Sequence, residues 1–476
     1  MLFNTLTYLI FLPIVFGLYW TARGARAKNA VIVLASCVFY GWWDVRFLAL
    51  MVATCLVNFL TTRAIAAPPL PPASSSLRQV GRVKGALCRR KTWLVATLTL
   101  NFAVLGVFKY FNFFAQELAA LLSAVGFSAD MPTLHVLLPV GISFYTFQLS
   151  GYAVDVYRRP EEGRGVDPLT FMAFITFFPQ LVAGPIERWS NMRGQMEADR
   201  VFDYTMAREG MRLLLWGLAK KMLVADNCAG VADYIFADYG VRSLPDLWIG
   251  ALAFTFQIYG DFSGYSDMAI GSARLFGIRL SRNFATPYFA VGMKDFWRRW
   301  HITLMSWFKD YVYIPLGGNR RGHLRQQLNT AIVFLLSGLW HGANWTFVAW
   351  GLYHALWRLL PTPEHYAWLW RFLTFPVVVI GWVIFRSDTF LGAVEYVGRM
   401  FNPALLGPTT CSRMPLMLIA LLLATEALMR GREHPFAFVD RGVLRLQAVR
   451  MAVYLLVLAA VFLFGGAKAE FIYFQF

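Results

Sequence analysis

Apolar residues in this chain come in long blocks that recur from end to end, with little of the alternation that marks half-buried elements. Many blocks reach the roughly 20 residues that a helix needs to cross a hydrocarbon core. The pattern predicts spans near 2–20, 29–43, 46–62, 92–113, 134–156, 168–185, 211–237, 247–276, 329–358, 366–386, 415–429 and 450–467. Charges interrupt several of them, so hydropathy gives a count of about ten to twelve. The expected fold is all-α and polytopic. The first span lacks a basic leader and runs straight into a second apolar block, so it reads as a retained helix and not as a cleaved signal peptide.

Composition agrees. The 476 residues are 58% hydrophobic and 15% charged, whereas soluble domains carry about 25% charged residues. No polar stretch is long enough for a separate soluble domain. Charge then orients the spans. The loop 21–28 holds Arg23, Arg26 and Lys28, and the loop 63–91 holds Arg63, Arg78, Arg82, Lys84, Arg89, Arg90 and Lys91, with no acid in either. Residues 114–132 carry Glu117 and Asp130 and no base. Placing the basic loops in the cytoplasm puts the N-terminus outside and alternates through the first five spans. The net charge of +17 therefore reads as topology and contact with anionic lipid. No basic face separates itself from the apolar spans, which excludes nucleic-acid binding.

The five cysteines are scattered, with no metal spacing, and most lie in apolar blocks as small hydrophobes. Cys88, beside Arg89 and Arg90, is the one lipidation candidate. Residues 67–76 form a Pro/Ser-rich linker.

Ionisable groups inside spans are costly, so they face the protein interior, pair, or line a site. Tyr145, Gln148, Tyr152 and Asp155 fall on one helical stripe, read as interhelical glue. Lys109 snorkels or pairs with a carboxylate. In the span 247–276, Gly260 and Gly264 make a surface for close helix approach, and Ser263 and Asp267 are one turn apart and can share a hydrogen bond. Asp261 and Asp267 do not share a face, which argues against paired-carboxylate catalysis. The stretch 292–325 is too charged for lipid and too aromatic for a free loop. It reads as an interfacial or re-entrant segment, in which Asp295 pairs with Arg298 or Arg299 and Pro315 to Asn319 form a turn. His301 lies within it, structural or catalytic. His341 sits deeper, in Leu-Ser-Gly-Leu-Trp-His-Gly-Ala-Asn-Trp. Ser337, His341 and Asn344 are expected on one helical face, with Gly338 and Gly342 clearing space for a substrate. A neutral imidazole there can take a proton from a hydroxyl, or simply bond a neighbouring helix. His354 faces elsewhere. Neither histidine has a metal-ligand companion, and no Gly-x-Ser-x-Gly, Walker or Rossmann pattern is present.

The strings Asp295–His301 (DFWRRWH), Asp310–Arg320 (DYVYIPLGGNR) and Leu336–Trp345 (LSGLWHGANW) resemble the signature of the bacterial alginate O-acetyltransferase family, part of the membrane-bound O-acyltransferase superfamily. Phe108–Phe114, Leu138–Gln148, Phe177–Ile186 and Asp261–Gly271 are similar to further blocks, so the resemblance covers about residues 100 to 358. It implies a ring of helices around a funnel, with a catalytic core at 92–358 that contains a re-entrant segment at about 285–325. N-terminal helices 1–62, a cytoplasmic basic loop 63–91 and C-terminal helices 359–476 complete the organisation.

The resemblance further implies that His341 is the superfamily's catalytic histidine and His301 the second one required. His341 is expected to act as general base on an attacking hydroxyl, with His301, Asn344 or an arginine stabilising the oxyanion. Ser337, Arg298, Arg299, Lys309, Asp310, Arg320, Arg321, Asp261 and Asp267 are the supporting candidates. No bound cofactor or metal is expected; acetyl-CoA or a similar thioester is the cosubstrate. The partners expected are membrane lipids, periplasmic acetylation proteins and a polysaccharide acceptor, and the location is the bacterial inner membrane. A transporter or flippase using both histidines as a proton relay is the competing class, and a secretion scaffold a third.

Overall fold

Short polar residues at the ends of apolar runs set many of the helix starts. The Asp44 carboxylate accepts the Arg46 amide, Asp203 the Thr205 and Met206 amides, and Ser243 the Asp246 amide. These caps satisfy N–H groups that a first turn leaves open. In the computed structural model, which describes residues 1–67, 76–127, 138–362, 364–429, 431–438 and 446–474, every regular element among the described residues is helical. The all-α expectation holds. Residues 68–75 of the linker 67–76, Asp130 and the first residues of the predicted span 134–156 lie outside the described residues.

Two compact units result. The first (Met1–Val182 with Ile186–Phe202) contains α1 (Leu6–Thr21), α2 (Gly24–Gly41), α3 (Val45–Ala66), α4 (Ser76–Ala124), α5 (Ile142–Arg158), α6 (Pro168–Thr176), α7 (Phe178–Leu181) and α8 (Trp189–Glu197). Its interior is joined by polar side chains. Asn58 of α3 and Asn101 of α4 exchange amide hydrogen bonds of 2.7 and 2.9 Å, and Asn101 Nδ2 also donates to Ser150 of α5. Amide pairs of this kind fix helix register where lipid supplies no hydrophobic drive. Tyr145, Gln148, Tyr152 and Asp155 are all buried, as expected, and so is nearly every other residue of α5. One expectation needs correction. Lys28 is not a loop charge: it is buried in the first turn of α2, and its Nζ lies 2.8 Å from Asp199. Arg23 and Arg26 remain exposed.

The second unit (Ala183–Pro185 with Asp203–Phe476) carries α9 (Tyr204–Ala219), α10 (Asp226–Ala237), α11 (Leu244–Leu275), α12 (Met293–Arg299), α13 (Ile302–Phe308), α14 (His323–His341), α15 (Trp345–Leu359), α16 (Ala367–Arg386), α17 (Phe390–Met400), α18 (Met414–Leu428) and α19 (Gln447–Phe464). A π-helical turn, Lys220–Ala225, joins α9 to α10 without a break. α11 is its axis. Gly264 and Gly271 let α9 come so close that a Cβ on either would lie 2.7 or 2.5 Å from the carbonyl oxygens of Gly217 and Gly210. The small-residue surface read from Gly260 and Gly264 is thus a real helix contact.

Several predicted spans are subdivided. The stretch 168–185 breaks at Phe177, ahead of Pro179, and 329–358 breaks at Gly342 to Asn344, giving an α14/α15 hairpin. The amphipathic α17 was not expected: its buried Ala393, Tyr396 and Met400 follow a three–four spacing in a run too short to span. Among the described residues four helices are long and apolar enough to cross a membrane, in Val45–Ala66, Leu87–Ala124, Ala367–Arg386 and Gln447–Phe464, with Leu6–Thr21 and Met414–Leu428 as shorter apolar ones. Of the other predicted spans, 168–185 and 329–358 are subdivided and 211–237 carries the buried Lys220, Lys221 and Asp226.

Candidate active site

His301 is held at the junction of α12 and α13 by backbone pairing. Ala285 N–H donates to Arg299 O and Ile302 N–H to Asn283 O, both at 2.9 Å, so residues 283–285 run alongside 299–302. The pairing forces His301 into the left-handed region at φ 43°, ψ 52°. A residue other than glycine takes that conformation only where its surroundings over-determine it. The side chain is 1% exposed, and its ring stands edge-on to Phe262 with centroids 4.7 Å apart. Its Nδ1 lies 3.1 Å from Asn283 Oδ1.

His341 is the last residue of α14. It is 7% exposed and is boxed by Trp340, Trp350 and Phe385, with ring centroids at 4.9, 5.2 and 5.3 Å. The neighbouring glycines do not clear space for a substrate, contrary to expectation. A Cβ at Gly342 would enter the Phe347 ring, and one at Gly338 would strike the Phe347 carbonyl. They admit α15, and that close hairpin is what wedges His341 into place. Asn344 does not share its face either. The chain leaves helix at Gly342, and Asn344 becomes the N-cap of α15, accepting from Thr346 N–H and donating Nδ2–H to Asp388 O at 3.0 Å. Ser337 is buried one turn before His341.

One indole joins the two histidines: the Trp340 centroid is 6.0 Å from His301 and 4.9 Å from His341. Tyr473 completes the cluster. Its Oη lies 3.5 Å from His341 Nδ1, and its ring packs 4.6 Å from Phe262. Tyr473 was not expected at the site, because it lies beyond residues 100–358, where the resemblance ends. The aromatic run Phe471 to Phe474, following the Gly465–Gly466 break after the last span, was the available signal.

What fixes Tyr473 is a buried ion cluster around Lys221, which joins the expected Asp261 to residues that were not expected at the site. Residues 465–474 turn back from α19 over the π-helical turn, where Gly466 N–H donates to Met222 O. Lys221 Nζ sits 2.8 Å from Asp226 and 2.9 Å from Asp261 and donates to Ala469 O at 3.2 Å, while Asp261 Oδ2 accepts Ile472 N–H at 2.7 Å. Asp267 pairs with Lys220 at 2.6 Å and not with Ser263, since the extra residue of the π turn brings two consecutive lysines onto α11. Asp261 and Asp267 therefore hold structure in separate ion pairs. The sequence shows Lys220 and Lys221 inside an apolar block, which was the unused clue.

The basic candidates are exposed or ion-paired. Arg298 is exposed, and Arg299 pairs with Asp295 at 3.0 Å, which resolves that alternative. Lys309 and Asp310 open a second π-helical turn, Lys309–Tyr313. Arg320 and Arg321 are exposed on the turn that follows, where Gly317 (φ 106°) and Gly318 (φ 57°) supply the left-handed conformations and Asn329 Nδ2 anchors Gly318 O at 2.9 Å.

Comparison with known proteins gives the arrangement its context. A family model described as the membrane-bound O-acyltransferase family matches residues 90–362. The chain is 40% identical over 413 residues to a probable alginate O-acetylase AlgI of Pseudomonas putida, covering 84% of this chain and 80% of that protein. It is 35% identical over 444 residues to a peptidoglycan O-acetyltransferase of Helicobacter pylori, with 84% and 80% covered. A teichoic acid D-alanyltransferase of Bacillus subtilis is 26% identical over 285 residues, covering 53% of this chain and 69% of that protein.

Proposed function

Because the chain belongs to the membrane-bound O-acyltransferase family, and so is a multi-pass membrane enzyme of O-acetyl transfer, we propose that it carries acetyl groups from a cytoplasmic thioester, acetyl-CoA or a close analogue, to the far side of a bacterial inner membrane. The final acceptor is an exported or envelope polysaccharide, of the class named for the relatives that act on alginate and peptidoglycan. Membership in an acyltransferase family removes the transporter and scaffold readings.

The observation that carries the mechanism is the approach of Tyr473 Oη to His341 Nδ1 at 3.5 Å inside a buried aromatic cluster. His341 takes the proton of this hydroxyl as its oxygen attacks the thioester carbonyl. The C–O bond forms, the C–S bond breaks, and the imidazolium returns the proton to the departing thiolate. The acetyl group then rests as an ester on Tyr473, from which an acceptor hydroxyl of a periplasmic partner or of the polymer removes it. Exclusion of water by Trp340, Trp350 and Phe385 protects the ester and strengthens each polar contact within the site. The exposed Arg298, Arg320 and Arg321, with Lys309, attract the donor's phosphates. Asn344 is committed to capping α15, and His301 serves as the second chemical group.

The test is label transfer. Purified protein incubated with acetyl-labelled thioester should acquire label that hydroxylamine releases, and both Y473F and H341Q should fail to acquire it. Label retained in full by Y473F would sink the tyrosine relay, and label retained by H341Q would sink the histidine base.

A further inference from the structure

Asn283 is buried and receives three contacts on one oxygen. Its Oδ1 is 3.0 Å from Thr303 Oγ1, 3.4 Å from Thr303 N and 3.1 Å from His301 Nδ1, while its Nδ2 is 3.1 Å from Ser266 Oγ. The Thr303 N–H is a backbone amide and can only donate, so the atom facing it is the carbonyl oxygen and the amide orientation is fixed. An amide oxygen can only accept. The third group facing it, His301 Nδ1, must therefore carry a hydrogen.

We infer that Asn283 is a positioning residue for acyl transfer: it holds His301 as the Nδ1–H tautomer and leaves Nε2 as the proton-accepting nitrogen. Which nitrogen of an imidazole is basic is set by the hydrogen bond that the other one makes. The backbone cooperates, since the same Asn283 accepts Ile302 N–H through its main-chain carbonyl at 2.9 Å and pins the left-handed His301 from both sides. Three independent restraints thus act on one ring: the amide, the strained backbone and the Phe262 edge.

The tautomer decides the chemistry. A neutral ring protonated at Nδ1 accepts a proton at Nε2 and has none to give there, so His301 is a base and not the oxyanion donor that the sequence suggested. An acceptor hydroxyl attacking the acetyl group passes its proton to Nε2. The new C–O bond forms as the bond from the acyl carbon to the leaving atom breaks, and the imidazolium returns the proton to that leaving atom. This role presupposes that His301 serves the transfer reaction.

Histidine-selective 15N labelling of the full-length protein in lipid bilayers reads the tautomer directly, with the His301 signal assigned by its loss in H301Q. Wild type should show a protonated Nδ1 and a bare Nε2. N283L, which keeps the number and branching of the side-chain heavy atoms but accepts no hydrogen bond, should lose that signature, and its kcat should fall about a hundredfold with KM little changed, the scale of one general base. N283D restores an acceptor, so Nδ1 should keep its proton and much of the rate should return, while an unchanged thermal midpoint of N283L shows that its loss is not misfolding. A His301 signal unchanged in N283L, or a wild-type ring protonated at Nε2 alone, overturns the assignment. Full transferase activity in H301Q would instead remove His301 from the reaction, and it is read in a separate assay, so the two failures are distinguishable.

Discussion

Tyr473 and His341 stand 132 positions apart in sequence, yet the phenol oxygen of one lies 3.5 Å from Nδ1 of the other. Nothing local to either residue brings them together. The contact exists because α14 ends against α15 on one side and because a buried ion cluster turns the segment after α19 back over the π-helical turn and α11 on the other.

If His341 is the base, H341A abolishes polymer acetylation while the protein still inserts and accumulates. A general base contributes about a hundredfold to ten-thousandfold in rate. H341Q keeps a hydrogen bond but accepts no proton, so it should be as inactive as H341A. Polysaccharide acetyl content in a deletion strain carrying each variant measures this, and activity in H341Q would mean that the ring only fills space.

Removing Lys221 strands Asp226 and Asp261, whose side chains are each 2% exposed. Breaking a buried pair by deleting one partner costs about 3–5 kcal/mol. K221M should therefore lower the thermal midpoint of detergent-solubilised protein and lose transferase activity together. D261N keeps an acceptor for Ile472 N–H and should fall between K221M and wild type. Equal stability of K221M and wild type would contradict the anchoring role.

The α14/α15 hairpin should not tolerate side chains where it closes. G338A drives a methyl against the Phe347 carbonyl, and overpacking of this kind costs about 1–3 kcal/mol. Because His341 sits three residues further on, activity should drop more than stability does. A G338A enzyme with wild-type kcat would show that the imidazole does not depend on the tightness of that hairpin.

Neutralising the exposed turn as R320Q/R321Q should raise KM for the thioester donor and leave membrane insertion unchanged. Measured KM against donor concentration decides it: an unchanged value makes these arginines lipid-headgroup anchors.

Topology is testable with a native residue. Cys88 is exposed and lies in the basic segment expected in the cytoplasm. In a protein whose only cysteine is Cys88, an impermeant thiol reagent should leave intact cells unlabelled, whereas E117C in a cysteine-free background should react. The opposite pattern reverses the orientation.

How much of this was legible beforehand follows from the range of the interactions. The all-helical membrane architecture, the Gly260/Gly264 packing surface and the isolation of Asp261 from Asp267 are properties of hydropathy and of 3.6-residue spacing, and sequence carries both. His301 and His341 stood out as polar groups in the wrong surroundings. Gly342 and Asn344 were misread because helical spacing was extended across a helix break, although a glycine and a capping asparagine mark it, and Gly338 was misread because the carbonyl it makes room for belongs to the next helix. Lys220, Lys221 and Asp226 escaped notice inside a predicted span, and Tyr473 inside a tail; each has its meaning only through partners tens or hundreds of positions away. Asn283 looked like any loop asparagine.

The π-helical turn at Lys220–Ala225 makes one stretch of this helix intolerant of a kind of change that surface loops absorb. One residue of an α-helix corresponds to about 100° of rotation. Deleting a single residue from 220–225 would restore ordinary helical winding, and the glycine seams at Gly210 and Gly217 would still seat α9 on α11. Because a π turn winds by less per residue than an α-helix, the helix downstream would keep nearly its old bearing, but the two consecutive lysines could no longer both face α11, and the Lys221 pairs that anchor the 465–474 segment would be lost. The register of that turn, more than the identity of any one residue in it, decides whether the phenol reaches the imidazole.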